Sequence, residues 1–350
     1  MPSPDILLRA FRHLCLARHM ADTYEQNRQI CRYVHSTSSG HEAVQLAAAC
    51  LLTAQDFVSP YYRDESMLLG LGFTPYELML QLLAKKDDPF SGGREYYSHP
   101  SWKGGDKPTI IHQSSATGMQ AIPTTGIAHG LKIRQAMRQA GPDQAANGQV
   151  VLCSLGDASM TEGEVSEALQ VAVLNKLPVI YLVQDNRWGI SVTADEARAM
   201  DAYEFAAGFP GMQRMRINGS DFSACYERLS QVFHAVRSGQ GPWIVQADVP
   251  LLAHHTSGVR KEFYRDEAEW KAAWERDPGV VLRQQLADTG ITEAQLREIV
   301  ESTGKEVAQA FERACHAEDP SPADIQAHVF APAPVLSETG NRNDKGSPRI

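Results

Sequence analysis

Hydrophobic and polar residues alternate along the chain in blocks that predict strands separated by helices. Val150–Leu155 is a short apolar run that ends at a Gly-Asp pair, which is typical of a buried parallel strand followed by a loop. A second apolar run, Val179–Val183, ends at Asp185-Asn186. Between the two runs, apolar residues recur every three or four positions, which predicts a helix with one face on the sheet. Strand, helix and strand of these lengths predict a right-handed βαβ unit.

The start of this helix and the elements around it follow from similar patterns. Thr161 lies three residues before Glu164, the spacing of a capping box at a helix N-terminus. The other periodic segments predict an N-terminal helix, two further strands with a helix between them, and a C-terminal helix: Ile6–Tyr24, Gln213–Ile217, Phe222–Arg237, Trp243–Val249 and Thr292–Ala317. The repeated β-α-β order predicts an α/β fold with a doubly wound, mostly parallel sheet flanked by helices.

The composition changes near residue 320. Val329–Leu336 is apolar but contains Pro332 and Pro334, and residues 337–350 are polar and contain Gly, Pro and Asn. Such a segment has too few apolar residues to form a core. We therefore predict one domain at residues 1–320 and a flexible tail or linker at residues 321–350.

Composition and charge argue against several classes of protein. A chain of 350 residues with 43% hydrophobic residues can bury a large α/β core. The formal net charge of −9 and the lack of a Lys/Arg cluster argue against a nucleic-acid partner. No apolar run approaches the roughly 20 residues of a membrane span, and the N-terminus has no signal-peptide core, so we expect a cytoplasmic protein. The six cysteines have no CxxC spacing and are expected to be reduced, small hydrophobic residues.

Each strand of the βαβ unit is followed by a residue type that binds hard metal ions. Asp157 and Asn186 come after the carboxyl ends of strands predicted to be neighbours, the edge at which open α/β sheets bind ligands. A carboxylate and an amide oxygen suit Mg²⁺, which usually completes its coordination with phosphate oxygens and water. We therefore predict a magnesium-bound diphosphate. Four small residues would let the main chain approach it closely: Gly156, Ala158, Ser159 and Gly189.

The spacing of these residues resembles the fingerprint of thiamine diphosphate (ThDP) proteins, in which GDG is followed after a long gap by NN. Here Gly156-Asp157-Ala158 precedes Asp185-Asn186, with 29 positions from Asp157 to Asn186. Ala158 and Asp185 depart from the pattern, but neither position is expected to supply a metal-binding side chain. The resemblance also implies that the main-chain oxygen of Trp188 binds the metal. Taken alone, the Gly, Asp and Asn residues would be weak evidence for a cofactor site, because structural turns also use these residues often.

A further polar segment, Tyr62-Arg63, follows the short apolar run Phe57–Val58. Taken alone, the neighbours Arg63 and Asp64 are typical of a solvated turn. The resemblance implies instead that Arg63 reaches the diphosphate of the cofactor. Its planar fork suits phosphate oxygens, and the hydroxyl of Tyr62 can add one donor.

The segment from Ser114 to Gln120 contains small residues that can bring main-chain groups against a flat ring. The resemblance implies that the main chain of Ser115 and Thr117 contacts the aminopyrimidine of ThDP. In branched-chain relatives the positions of Ser114 and Gln120 supply oxygen ligands to a monovalent cation. A K⁺ ion is therefore a further expectation for this segment.

Two adjacent histidines, His254 and His255, follow the predicted strand Trp243–Val249. Because neighbouring side chains of an extended chain point to opposite sides, at most one of them is expected to face the site. A metal site, structural loop histidines and a catalytic role are all compatible with this pattern. The resemblance implies that His255 is catalytic and contacts both the diphosphate and the reacting end of the substrate. Its near-neutral pKa would let it donate or accept a proton.

The resemblance covers residues 1 to about 320 and is carried by HQSSATGMQ, GDASMTEGEVSEA and LVQDN. It is closest to the α subunit, or the α half of a fused α/β protein, of ThDP-dependent 2-oxoacid dehydrogenase E1 components of the branched-chain 2-oxoisovalerate type. It implies oxidative decarboxylation of a branched-chain 2-oxoacid, with acyl transfer to the lipoyl domain of E2. It also implies a β subunit or fused β part, in an α₂β₂ assembly, whose glutamate completes the active site. The tail resembles the linker that precedes such a fused β part.

Two alternatives remain open from the sequence. One is another ThDP enzyme of the same fold, such as a pyruvate or acetoin dehydrogenase α subunit or a transketolase-like half. The other is a non-catalytic, ThDP-binding scaffold paralogue, suggested by Ala158 and by the loop after His255. In that loop Val259 and Arg260 replace expected acidic residues, which argues against control by phosphorylation.

Overall fold

The computed structural model describes residues 1–111, 114, 116–139 and 148–326. Within these residues the strands are β1 (Phe57–Ser59), β2 (Thr109–Ile110), β3 (Val151–Gly156), β4 (Val179–Asp185), β5 (Trp188–Gly189), β6 (Val192–Thr193), β7 (Gln213–Asn218) and β8 (Trp243–Asp248). The helices are α1 (Pro4–Gln26), α2 (Glu42–Leu51), α3 (Glu65–Gly70), α4 (Pro75–Leu82), α5 (Ala121–Gln139), α6 (Gly163–Asn175), α7 (Ala194–Ala197), α8 (Ala202–Phe205), α9 (Phe222–Arg237), α10 (Glu267–Trp274), α11 (Pro278–Asp288) and α12 (Glu293–His316).

The main sheet of the described residues has the strand order β2-β1-β3-β4-β8-β7, and all neighbouring strands are parallel. The chain crosses in one direction from β1 to β2 and in the other from β3 to β4. The direction therefore reverses between β1 and β3, which is where doubly wound sheets bind ligands. The predicted fold class, a doubly wound parallel sheet flanked by helices, is confirmed.

Alternation along the strands builds a hydrophobic core on each face of the sheet. Leu152 and Ile180 point into one core, which is formed with α1, α2, α9 and α12, while Val151 and Tyr181 point into the other, formed with α5, α6 and α8. These strands read as unbroken apolar runs because both faces of a parallel sheet are covered. The described structure therefore has three layers, with the sheet in the middle.

The predicted helix α6 is present, but the capping box predicted at its start is wrong. The residues after β3 form a 3₁₀ turn, Asp157–Thr161, and α6 begins at Gly163 with Glu162 in the N-cap position and no side-chain capping bond. The hydroxyl of Thr161 donates to the main-chain oxygen of Ala158 at 2.9 Å. Thr161 therefore closes the turn instead of capping the helix, because the chain leaves the strand in a tighter coil than an α-helix.

The C-terminal boundary and the cysteines can be compared with their predictions only in part. Residues 322–326 form a short 3₁₀ helix, and residues 327–350 of the predicted tail lie outside the described residues. All six cysteines are free, and Cys15, Cys153 and Cys225 are buried. A search of the described helices finds none that is both long and apolar enough to cross a membrane.

A buried carboxyl group lies at the start of α3, close to the site. Glu65 is fully buried and accepts a hydrogen bond from the hydroxyl of Tyr97, which lies 3.1 Å from the hydroxyl of Tyr24. Burial, opposed by hydrogen bonds from the two tyrosines, raises the pKa of Glu65 from 4.5 to about 8. Glu65 is therefore mostly protonated in the folded chain at neutral pH.

We expect Glu65→Gln to flatten the pH dependence of stability. Between about pH 4.5 and 8 the folded chain keeps this proton and the unfolded chain loses it, so the free energy of unfolding falls as pH rises through that window. The shift corresponds to at most about 5 kcal/mol. Glutamine removes the titration and keeps the size of the side chain. Urea unfolding at pH 5 and pH 8.5 measures the slope, with Glu298→Gln on the exposed face of α12 as control. An unchanged slope in Glu65→Gln would contradict the assignment.

Candidate cofactor site

The residues predicted to form the site come from loops at one edge of the sheet. Tyr62 and Arg63 follow β1, Asp157 follows β3, Asn186 follows β4, and His255 lies beyond β8. These strands are parallel and adjacent in the sheet, so their carboxyl ends share one edge. The edge includes the reversal point between β1 and β3.

Arg63 is a fully buried cation. Its Nε donates to the hydroxyl of Tyr61 at 3.2 Å, Nη1 to the main-chain oxygen of Thr37 at 3.3 Å, and Nη2 to the main-chain oxygen of His255 at 3.1 Å. The guanidinium also lies 5.4 Å from the ring centre of Tyr62. No carboxylate of the described residues forms an ion pair with it. A buried guanidinium without a carboxylate partner is costly unless an anion binds there.

Tyr62 and His255 line one cavity of about 220 Å³ together with Thr117 and Ile190. The hydroxyl of Tyr62 lies 3.3 Å from Nε2 of His255, while Nδ1 of His255 is buried without a hydrogen-bond partner among the described residues. Burial, and then the charge of Arg63, lower the pKa of His255 to about 3. The ring is therefore neutral at pH 7, and the near-neutral pKa expected from the sequence is corrected because that expectation assumed a solvated side chain.

The neighbouring histidine, His254, does not line the cavity of Tyr62 and His255. Its Nδ1 accepts a hydrogen bond from the main-chain nitrogen of Lys261 at 3.1 Å and lies 3.7 Å from the carboxylate of Glu262. It lines an adjoining cavity of about 490 Å³, which shares some lining residues with the first. The expectation that at most one of the two histidines faces the Tyr62 cavity is confirmed, and that residue is His255.

Asp157 contacts an arginine that sequence analysis missed. Nη1 of Arg198 lies 2.9 Å from Oδ2 of Asp157, and Nη2 donates to the two carboxylate oxygens of Asp185 at 2.8 and 2.7 Å. Burial and the adjacent Asp185 carboxylate raise the pKa of Asp157, against the opposite effect of Arg198. Asp185 was expected to take no part in the metal site, yet its side chain lies beside Asp157 and shares its guanidinium partner.

A buried histidine orients the side chain of Asn186. Oδ1 of Asn186 accepts a hydrogen bond from the main-chain nitrogen of Trp188 at 2.9 Å, and Nδ2 lies 3.2 Å from Nε2 of His41. Burial, the largest cause, lowers the pKa of His41 to about 3. Its Nδ1, 2.9 Å from Oε1 of Gln184, is then the donor, and its Nε2 accepts from Asn186. Oδ1 of Asn186 keeps a second lone pair, so its use as a metal ligand stays a prediction.

The four small residues predicted to approach the phosphates lie around the end of β3. A Cβ added to Gly189 would lie 3.2 Å from the Cβ of Ala158, and one added to Gly156 would lie 3.4 Å from the ring of Tyr61. Ser159 is buried and lines a small neighbouring cavity. A side chain at Gly189 would crowd Ala158, which fits a role for the main chain of this loop in close contacts.

The predicted ring and K⁺ contacts are covered only in part. Ser115 lies outside the residues that the structure describes, whereas Thr117 lines the cavity of about 220 Å³. The hydroxyl of Ser114 accepts a main-chain hydrogen bond at 3.2 Å. Nε2 of Gln120 donates to the main-chain oxygen of Ser154 at 3.0 Å. Binding of a K⁺ ion by Ser114 and Gln120 stays a prediction.

Comparison with known sequences places this chain in a family. The family described as "Dehydrogenase E1 component" matches residues 12–323 of the 350-residue chain. This chain belongs to that family. The resemblance inferred from the ThDP fingerprint is thereby confirmed at the level of the family.

Three relatives of this E1 chain carry specific names. It is 30% identical over 294 residues to the 2-oxoisovalerate dehydrogenase subunit alpha of Bacillus subtilis (strain 168), covering 83% of this chain and 85% of the relative. It is 26% identical over 307 residues to the 3-methyl-2-oxobutanoate dehydrogenase subunit alpha of Mycobacterium tuberculosis, covering 87% and 77%. It is 25% identical over 331 residues to the pyruvate dehydrogenase E1 component subunit alpha of Porphyra purpurea, covering 93% of each chain.

The side chains of this E1 chain fit a bound diphosphate. Arg63 offers a buried cation, Tyr62 a hydroxyl and His255 an unpartnered Nδ1. The proposed metal ligand Asp157 is less available, because its carboxylate already contacts the guanidinium of Arg198. Within the described ranges no group of three or more His, Cys, Asp and Glu side chains is arranged to hold a metal ion. Mg²⁺ held by one or two protein side chains and by phosphate oxygens is compatible with that finding.

Two residues around the site of this E1 chain were missed from the sequence: Gln184 and Arg198. Gln184 carries a usable signal, because a fully buried polar residue near the end of an apolar strand must find hydrogen-bond partners. Its Nε2 donates to Asp64 at 2.7 Å and to Ser154 at 2.9 Å. Arg198 carries no such signal, because it lies among other charged residues in a segment where an arginine is not conspicuous.

Proposed function

We propose that this chain is the α subunit of a 2-oxoacid dehydrogenase E1 component. In this proposal it acts in the oxidative decarboxylation of a branched-chain 2-oxoacid and in acyl transfer to the lipoyl domain of E2. One observation carries it: in an E1-family chain, Arg63 is buried without a carboxylate partner beside Tyr62 and His255, at the ligand-binding edge of the sheet. The relatives named for 2-oxoisovalerate and 3-methyl-2-oxobutanoate favour a branched-chain substrate. The relatives named for pyruvate make pyruvate the second candidate.

In this proposal the site holds ThDP and Mg²⁺. Arg63 and Tyr62 bind the diphosphate, and Asp157, Asn186 and the main-chain oxygen of Trp188 bind the metal. The main chain at Ser115 and Thr117 contacts the aminopyrimidine, the small residues Gly156, Ala158, Ser159 and Gly189 allow close approach of the main chain, and Ser114 with Gln120 binds K⁺. When bound, ThDP supplies a carbon nucleophile for the keto group and a sink for the electrons released with CO₂.

The protein's own contribution centres on Arg63 and His255. Arg63 brings a desolvated positive charge, and its position is fixed by three main-chain and side-chain acceptors. Burial, and then the charge of Arg63, lower the pKa of His255 and keep its ring neutral while no anion is bound. An anion beside Arg63 offsets that charge and raises the pKa of His255. His255 can then hold a proton on Nε2 near the reacting end of the substrate, with the Tyr62 hydroxyl as its neighbour.

The chemistry of the cavity supports a shared active site. Among the described residues that line the cavity of about 220 Å³ are tyrosines, histidines and small polar residues, but no carboxylate. A glutamate from a β subunit, in an α₂β₂ assembly or a fused protein, would add the missing acid. In the same proposal residues 1–320 form the ThDP-binding α part, and residues 321–350 are either a flexible tail or the linker to a fused β part.

Reconstitution tests the proposal. The purified chain is mixed with ThDP, Mg²⁺ and the oxidised lipoyl domain of E2, with and without an E1 β subunit. Release of CO₂ from 3-methyl-2-oxobutanoate, pyruvate and other 2-oxoacids is then followed. We expect turnover only with the β subunit and the highest rate with a branched-chain acid.

Three results would change the proposal. Full turnover by the chain alone would contradict the shared site. A preference for pyruvate would select the second candidate substrate. Binding of ThDP, measured by calorimetry, without turnover of any 2-oxoacid in the presence of β would favour a non-catalytic scaffold.

A further inference from the structure

Arg198 places a buried positive charge between two carboxylates. Its side chain is 7% exposed, and its guanidinium contacts Asp157 and Asp185, which follow and end the neighbouring strands β3 and β4. In the proposed function Asp157 is a ligand of the divalent cation. A protein cation therefore already contacts the carboxylate that the metal would use.

The two carboxylates do not hold Arg198 equally. Asp185 accepts two hydrogen bonds from Arg198 and is itself held by Nε2 of Gln246 at 3.0 Å and by the main-chain nitrogen of Arg187 at 3.0 Å. Nη1 of Arg198 is close to Asp157 but lacks hydrogen-bond geometry and has no other partner in the described structure. Asp185 is thus the firm anchor, and the contact with Asp157 costs less to release.

The segment that carries Arg198 is compact and lies outside the main sheet. After Asn186 the chain forms the hairpin of β5 and β6, and α7 begins with a capping box between Thr193 and Glu196. An exposed ion pair joins Arg187 to Asp195 at 2.6 Å. The main-chain nitrogen of Arg198 donates to the main-chain oxygen of Ala194 at 3.0 Å, at the end of α7. A shift of residues 187–198 therefore breaks no strand pairing of the main sheet.

We propose that Arg198 is an internal competitor of the divalent cation. This inference rests on the proposed function, in which Asp157 binds the metal. Without a metal, the guanidinium partly neutralises Asp157. A divalent cation binds Asp157 once Arg198 has withdrawn from it, because two cations at the same carboxylate repel each other. The hydrogen bonds to Asp185 persist, so Arg198 remains a neighbour of the bound metal.

The proposal links metal binding to the position of residues 187–198. Competition for Asp157 is a negative coupling between the guanidinium contact and the metal, and such coupling is reciprocal. The metal therefore loosens the contact of Arg198, and a variant without the guanidinium binds the metal more tightly. An arginine that instead supports the metal site would have the opposite effect when removed.

Mn²⁺ binding to the full chain tests the proposal without enzymatic turnover. Electron paramagnetic resonance of free Mn²⁺, in the absence of ThDP, gives the dissociation constant. We expect Arg198→Gln to bind Mn²⁺ about tenfold or more tightly than the unmodified chain, within the range usual for coupled sites. Arg187→Gln is the matched control, since it removes an exposed arginine from the same segment. It should leave the constant unchanged.

A double variant separates competition from net charge. Asp185→Asn with Arg198→Gln leaves the single charge of Asp157, the same formal charge as the original group of two carboxylates and one guanidinium. It also avoids two unpaired neighbouring carboxylates, so it serves if Arg198→Gln does not fold. Competition predicts tighter Mn²⁺ binding in the double variant, whereas a pure charge effect predicts the original constant.

The outcomes distinguish this inference from the function on which it rests. Equal or weaker Mn²⁺ binding in a folded Arg198 variant overturns the competition while the metal site stands. If no protein binds Mn²⁺, even when ThDP is added, both the competition and the assignment of the metal to Asp157 fail.

Discussion

Arg63→Met is expected to weaken the binding of inorganic pyrophosphate and of ThDP by at least about a hundredfold. Two charge-assisted hydrogen bonds from a guanidinium contribute roughly 3 kcal/mol or more, which corresponds to that factor. Methionine fills much of the same volume but offers no donor. Calorimetry with each ligand, in the presence of Mg²⁺, measures the loss.

The same variant should have little effect on the folded chain before ligand is added. Its lost hydrogen bonds to main-chain oxygens are offset because a buried charge without a carboxylate partner is also removed. We expect the free energy of unfolding to change by no more than about 1 kcal/mol. Stabilisation by pyrophosphate, seen as a rise in the melting temperature, should disappear.

Arg237→Met is the contrasting control for Arg63→Met. Arg237 donates to both oxygens of Asp56, at 2.8 and 2.6 Å, and Asp56 is fully buried. Its removal leaves a buried carboxylate without its ion-pair partner and should cost about 3 kcal/mol of stability. Pyrophosphate binding should be retained. The assignment of Arg63 would be wrong if Arg63→Met bound pyrophosphate as tightly as the unmodified chain.

Asp157→Ala is expected to abolish the part of ThDP binding that depends on the divalent cation. A Mg²⁺ ion bridged between one or two protein side chains and a diphosphate loses its only carboxylate ligand of the proposed set. We expect on the order of a hundredfold weaker binding in Mg²⁺, about 2.7 kcal/mol. In EDTA, which removes the divalent cation, Asp157→Ala and the unmodified chain should bind ThDP with nearly the same affinity. Calorimetry with ThDP in each buffer gives the comparison.

A surface carboxylate on the neighbouring segment controls for the change of charge. Asp195 is 84% exposed and pairs with Arg187, so Asp195→Ala should keep the full effect of Mg²⁺. Thermal unfolding checks that Asp157→Ala is folded, since Arg198 retains its two hydrogen bonds to Asp185. Persistence of the full Mg²⁺ effect in folded Asp157→Ala would exclude this carboxylate as the metal ligand.

The order of elements could be predicted from the sequence because it depends on local patterns. The runs at 150–155 and 179–183 are apolar because both faces of the sheet are covered, and both are strands, β3 and β4. The residues that follow these strands, Asp157 and Asn186, must then lie at the same edge of the sheet. The capping box at Thr161 failed on the same local scale, because a 3₁₀ turn and an α-helix start with similar residues.

The sequence by itself determined the long strands of the sheet, the edge at which the candidate site lies and, through the fingerprint, the family to which the chain belongs. The tertiary structure alone decided which polar side chains meet: Arg198 with Asp157 and Asp185, and His41 with Gln184 and Asn186. It also decided that Arg63 is buried without a carboxylate and that His255 is neutral. The physical reason is that charge state and hydrogen-bond partners depend on burial and on residues distant along the chain, which packing brings together and no local pattern encodes.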